Sequence, residues 1–160
     1  MPRVIVLDTF PLRSTANQEP RAGAGLSVLD HCHQWVKQCV QSGSRIVAPA
    51  VTYYETLREL ERLNAVSQIA RLRAFCHAVP DRYLALTDAD IDLAARLWAR
   101  ARIAGTPTAG QEALDCDVIL AAQFLNMRLQ APDIILATTN VSHLLSLFRA
   151  ISGQVSRRKV

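Results

Sequence analysis

Lysine is nearly absent from this chain. Of its eighteen basic residues only Lys37 and Lys159 are lysines, and the other sixteen are arginines. Long apolar runs are missing too. Those present are short, such as Val118-Ile119-Leu120-Ala121-Ala122. A membrane span needs about 20 residues, so no transmembrane helix and no membrane partner is expected. The run Val4–Leu7 stops at Asp8, too early for the apolar centre of a secretory signal. Cys32, Cys39, Cys76 and Cys116 form no Cys-x-x-Cys pair. Isolated cysteines of this kind suit small core positions in a reducing compartment, so a cytoplasmic location is expected. No internal repeat and no low-complexity tract interrupts the chain.

What is present is globular composition: 160 residues, half of them apolar and a fifth charged. A chain of this length buries about 70% of its unfolded surface, enough for a core without disulfides or a structural metal. One domain is expected over 1–160, with a basic tail at 156–160. The net charge of +4 is a weak signal alone. The arginine bias sharpens it, because guanidinium groups make forked hydrogen bonds to phosphate.

Short apolar runs alternate with helical patterns. Val4–Leu7 reads as a buried strand. Pro11–Gly25 reads as a long surface loop with room for one helical turn. Leu29, Cys32, Val36 and Cys39 step along one face of a helix, which Ser42-Gly43-Ser44 ends. Arg45–Ala48 is a second strand, followed by helices over Val51–Leu63 and Ala65–His77. Tyr83–Leu86 is a third strand candidate. Thr87 stands three residues before Asp90, a capping-box pattern, and opens a helix with Ile91, Ala94, Ala95, Trp98 and Ala101 on one face. A helix from about Glu112 to Arg128, the strand Ile134–Ala137, a helix over Val141–Ala150 and a last strand near Gln154 complete the reading. This alternation predicts an α/β fold with a central parallel sheet covered on both faces.

In such sheets ligands bind beyond the carboxyl ends of the strands. Asp8 follows the first strand there. Glu55 lies one turn into the helix after the second. Asp115 and Asp117 open the helix that leads to the fourth, and Thr138-Thr139-Asn140 follows it. Each residue has a plain structural role open to it. Asp8 suits a turn or cap, Glu55 a solvated helix face, Asp115 and Asp117 a helix N-terminus, and Asn140 a cap. Their shared edge is what points to function. Two unit charges at 4 Å repel by about 4 kcal/mol at an effective dielectric of about 20, so convergent carboxylates call for a cation. Hard oxygen donors suit Mg²⁺ or Mn²⁺, which can activate water and neutralise charge on a phosphodiester.

The segments Val4-Ile-Val-Leu-Asp8-Thr9, Tyr54-Glu55-Thr-Leu-Arg-Glu59-Leu, Leu114-Asp115-Cys-Asp117-Val-Ile-Leu-Ala121-Ala122 and Leu136-Ala-Thr-Thr-Asn140-Val-Ser-His143-Leu together resemble a PIN domain. Their order and spacing run from Val4 to about Leu145, and the similarity is greatest to VapC-like toxins of type II toxin–antitoxin pairs. The resemblance implies a three-layer α/β/α sandwich and an Mg²⁺- or Mn²⁺-dependent endoribonuclease. The family's first three acidic positions fall on Asp8, Glu55 and Asp117. Asp115 matches an accessory acid, and Thr9 the small hydroxyl residue beside the first acid. Thr138 and Asn140 stand where many members carry Thr-x-Asp, so an amide replaces a carboxylate. Gly110 and Gln111 stand where related sequences often place acids. Both changes lower the charge of the site.

The reading assigns the metal to Asp8, Glu55 and Asp117, with Asp115 accessory. In-line attack of water would leave a 5′-phosphate and a 3′-hydroxyl, by family analogy. Arg13 and the tail Arg157-Arg158-Lys159 are the candidates for RNA backbone contacts that ignore sequence. The resemblance further implies a homodimer and a small antitoxin that occludes the acidic site. Two other readings stay open: a PIN-fold RNA- or protein-binding module with weakened catalysis, and a structure-specific DNA nuclease. A haloacid-dehalogenase phosphatase needs a second Asp where Phe10 stands. A receiver domain needs an acidic pair after its first strand. Asp88-Ala-Asp90-Ile-Asp92 lacks the Gly and Glu of a calcium loop. His31-Cys32-His33 has no second ligand pair for zinc.

Overall fold

The computed structural model of the chain describes residues 3–20, 25–107, 110, 115–130 and 133–152. They form two compact units, one built from Met1–Ala85 and Ala131–Thr139, the other from Leu86–Gln130 and Asn140–Val160.

The first unit holds a parallel sheet of four strands, β1 (Val4–Leu7), β2 (Arg45–Pro49), β3 (Tyr83–Leu84) and β4 (Ile134–Ala137), in the order β3-β2-β1-β4. Register pairs Ile5 with Ile46 and with Ile135, and Leu7 with Ala137. At the far edge Ala48 pairs with Tyr83. β1 is the strand the sequence marks most clearly, because all four of its residues are apolar and all four are buried. Successive strand residues point to opposite faces, so burial of the whole run means that both faces of the sheet are covered. This is the expected α/β class, with a central parallel sheet flanked by helices.

On one face Ile5, Leu7, Ile46 and Ala48 pack against helices of the same unit. These are α1 (Thr9–Ser14), α2 (Val28–Gln41), α3 (Ala50–Arg62) and α4 (Val66–His77), which contribute Leu12, Val36, Leu60, Leu72 and Cys76. A fully buried side chain of this size contributes about 1.5–3 kcal/mol of transfer free energy. α2 opens with a capping box in which Ser27 and Asp30 exchange bonds, and Gly43 follows its end at φ +81°, the left-handed turn that glycine accepts without strain.

α1 departs from the expected loop. Pro11 and the polar residues around it suggest a break, but proline is tolerated in the first turn of a helix. Leu12 and Ala16 then find places in the core. The helix expected over Ala65–His77 is α4, and the strand expected over Tyr83–Leu86 contracts to two residues. The last strand near Gln154 lies outside the described residues.

The second unit is helical: α5 (Asp88–Ile103), α6 (Cys116–Gln130) and α7 (Val141–Ser152). Small residues on α5 and α6, namely Ala94, Ala101, Ala121 and Ala122, form its core with Leu97, Val118 and Leu147. Thr87 and Asp90 form the expected capping box. The buried stripe of α5 is Asp90, Ala94, Leu97 and Ala101, and Ile91 is exposed. The helix is therefore turned about one residue from the face that hydropathy marks. Asp90 explains the turn, since its second oxygen accepts from Asn126 Nδ2 of α6 at 2.7 Å and draws the 90/94/97/101 side inward.

Candidate functional site

The chain lays down β1, β2 and β3 in one direction, then places β4 on the other side of β1. The order thus reverses between β1 and β4, and ligand sites in open parallel sheets form beyond the strand ends at such a reversal. Asp8 and Thr138 are the residues that leave these two strands at that end.

Asp8 is fixed from three sides. Its backbone N–H donates to Ala137 O at 2.9 Å, which continues the β1–β4 ladder. Its Oδ1 accepts from Thr9 N–H at 2.6 Å, capping α1. Its Oδ2 accepts from the Thr138 hydroxyl at 2.5 Å. The residue is 8% exposed. The cap that could have been its whole role therefore uses only one of its oxygens. Thr9 carries the link onward, because its hydroxyl donates to Glu55 Oε2 at 2.7 Å. Glu55 sits in the second turn of α3, and its Oε1 lies 3.5 Å from Arg58 Nη2. The first acid, the small hydroxyl residue, the second acid and the threonine after β4 thus form one bonded set in the first unit.

The rest of α3 continues this charge pattern outward. Arg62 pairs with Glu59 through Nε at 2.9 Å and Nη2 at 2.6 Å. The hydrogen bond from Arg62 lowers the Glu59 pKa from its ordinary value, and the charge of Arg13 acts in the same direction. Arg13, half-buried in α1, thus acts on a carboxylate of α3. Arg157, Arg158 and Lys159 lie outside the described residues, as does Gln111.

The remaining candidates fall in the second unit. Asp115 is buried, and its Oδ1 accepts from Val118 N–H at 3.2 Å. This is the helix-terminal role that its position allows. Asp117, in the first turn of α6, has its Oδ2 3.0 Å from Nδ1 of His143 on α7. Asn140 Nδ2 lies 3.2 Å from the same ring nitrogen. One Nδ1 cannot donate to Asp117 and accept from Asn140 together. With the proton on Nδ1, the Asn140 amide turns its oxygen toward the ring. His143 is the residue that sequence reasoning passed over. Its signal is weak, a histidine one helical turn after Asn140.

Among the described residues no three His, Cys, Asp or Glu side chains are grouped to hold a metal ion. The donors of the first set are of the type that hard cations accept. It offers two carboxylates and two hydroxyls, all oxygen, and Mg²⁺ is commonly held by one or two carboxylates with water and substrate phosphate completing its shell. The histidines beside Cys32 have other roles. His31 Nδ1 lies 2.9 Å from Ser27 O, and His33 Nδ1 lies 2.8 Å from Ser14 O. No family model, curated protein or solved structure matches the chain.

Proposed function

We propose that this chain is an Mg²⁺- or Mn²⁺-dependent endoribonuclease of the PIN type, the toxin of a type II toxin–antitoxin pair. The observation that carries the reading is the bonded set Asp8–Thr138 and Thr9–Glu55 at the strand ends beside the reversal of strand order. A cap alone would not need Thr138, and a solvated glutamate would not need Thr9.

In this reading Asp8 and Glu55 hold the ion, and Asp117 is the third acid. The ion, when bound, supplies charge neutralisation at the scissile phosphate and acidifies the attacking water. The protein's own work is positioning. Thr138 and the α1 cap fix the two oxygens of Asp8, and Thr9 fixes one oxygen of Glu55, so the carboxylates need not reorganise when substrate arrives. Water adds to phosphorus as the bond to the 3′-oxygen breaks, a carboxylate accepts the proton of the attacking water, and the leaving 3′-oxygen takes a proton from solvent water to become the 3′-hydroxyl. Arginines bind the RNA backbone without reading its sequence. A restraining antitoxin, a homodimer and a cytoplasmic location belong to the same proposal. No helix of the described residues is long and apolar enough to cross a membrane.

The test is cleavage of a single-stranded RNA by the full chain with Mg²⁺ or Mn²⁺, with excess EDTA, and by Asp8→Asn. Cleavage that requires the metal and vanishes in Asp8→Asn supports the reading. RNA left intact by wild-type protein at millimolar Mn²⁺ overturns it.

A further inference from the structure

The first unit also contains a cavity of about 270 Å³ that the nuclease reading does not use. Its apolar wall is Val36 and Val40 of α2 with Phe75 of α4, and its polar wall is Thr15, His33, Lys37 and Arg82. Three of these four are basic types, and the Thr15 hydroxyl is bonded to Leu12 O. Two of the basic groups are already satisfied within the chain: the Lys37 ammonium pairs with the Glu19 carboxylate, and His33 bonds the Ser14 carbonyl.

Arg82 differs. Its Nη1 donates to the Phe75 carbonyl at 2.9 Å, and its guanidinium lies over the Phe75 ring at 4.4 Å. Its Nε is sealed from solvent and out of reach of a molecule in the cavity, but among the described residues no carboxylate pairs with the guanidinium. Burial lowers its pKa from the ordinary arginine value. A half-buried guanidinium with no carboxylate beside it, set against an apolar wall, matches a ligand with an acidic head and an apolar body.

We propose that this cavity binds a small amphipathic carboxylate, its head at Arg82 and its body against Val36, Val40 and Phe75. A volume of this size admits on the order of ten heavy atoms. An alkyl chain of eight carbons ending in a carboxylate meets both requirements. The proposal does not depend on the nuclease reading, and neither outcome of one decides the other.

Sodium octanoate is the probe, titrated calorimetrically into the full chain, with octanol and octylamine as controls. One saturable site is expected for octanoate, with both controls at least tenfold weaker. Arg82→Gln should weaken octanoate at least tenfold. Val40→Trp, which fills the cavity from the half-exposed face of α2 and leaves Arg82 in place, should abolish the binding. Circular dichroism checks that each variant is folded. If Arg82→Gln does not fold, Val40→Trp decides. No saturable octanoate binding, equal binding of octylamine, or binding unchanged in folded Val40→Trp overturns the proposal.

Discussion

Thr138 donates its hydroxyl to Asp8 across 130 residues of sequence, tying the ends of the adjacent strands β4 and β1. A neutral hydrogen bond contributes about 0.5–1.5 kcal/mol net, and one to a charged group about 1.5–3. Thr138→Val should therefore lower stability by about 1–3 kcal/mol, read from denaturant midpoints. It frees one oxygen of Asp8 to turn. If Asp8 holds a metal, cleavage should fall about 10–100-fold, as for other groups that orient ligands, and Thr138→Ser should restore it. Activity equal to wild type in a destabilised Thr138→Val would leave the bond a structural one.

Thr9 offers a second separation of roles. Its backbone N–H is held by Asp8 and its hydroxyl by Glu55. Thr9→Val keeps the first bond and removes the second. The expected result is a metal titration shifted to higher Mn²⁺ concentration with little change in melting temperature, because Glu55 is only partly buried and keeps Arg58 beside it. An unchanged Mn²⁺ dependence would remove Glu55 from the metal assignment.

The parts of this site that were legible in sequence are those set by local pattern. A continuous apolar run fixed β1, and the acid that ended it had to stand at the strand's carboxyl end. The Thr87–Asp90 spacing fixed the start of α5. Long-range partners were not legible. Nothing near Asp90 announces Asn126, 36 residues on, and that bond turned α5 away from the hydropathic face. Nothing near Asp117 announces His143. α1 was hidden because Pro11 signals a break locally, whereas its burial of Leu12 depends on helices that come later in the chain.

Asp90 carries two roles that substitution can separate. One oxygen closes the capping box with Thr87, at 2.9 Å from its backbone N–H, and the other accepts from Asn126. Asp90→Ala removes both and leaves the partly buried Asn126 amide without this partner. A cap is worth about 0.5–2 kcal/mol, and an unsatisfied buried group costs about 1–3 kcal/mol. A loss of roughly 2–4 kcal/mol is expected by urea unfolding. Asn126→Ala alone should cost less, and the double variant should cost less than the sum, because both act on one network.

Cys76 gives the pH dependence a sign. Burial pushes its thiol pKa up to about 12 from the ordinary value near 9. The folded state therefore holds the proton more tightly than the unfolded state. This contribution is complete below pH 9 and is lost as pH rises toward 12, with a slope of about 1.4 kcal/mol per pH unit. Unfolding free energies measured from pH 8 to 10.5 should fall along that slope, and Cys76→Ala should flatten it while lowering stability at neutral pH. Alkylation at pH 8 should likewise leave Cys76 unmodified until the chain unfolds, because the thiolate is the nucleophile.

Asp117 has two possible duties, and one substitution distinguishes them. As a structural group it anchors α7 to α6 through His143 at 3.0 Å. Asn in its place keeps an oxygen that can accept from the His143 ring, so that anchor largely survives Asp117→Asn. The charge does not survive, and a metal-binding or proton-accepting role is lost with it. Wild-type melting temperature within a few degrees, together with RNA cleavage reduced below detection at any Mg²⁺ concentration, is the expected pair of results. His143→Ala should do the reverse, costing about 1 kcal/mol of stability while leaving the Asp117 charge available. Full cleavage by Asp117→Asn would strike Asp117 from the site.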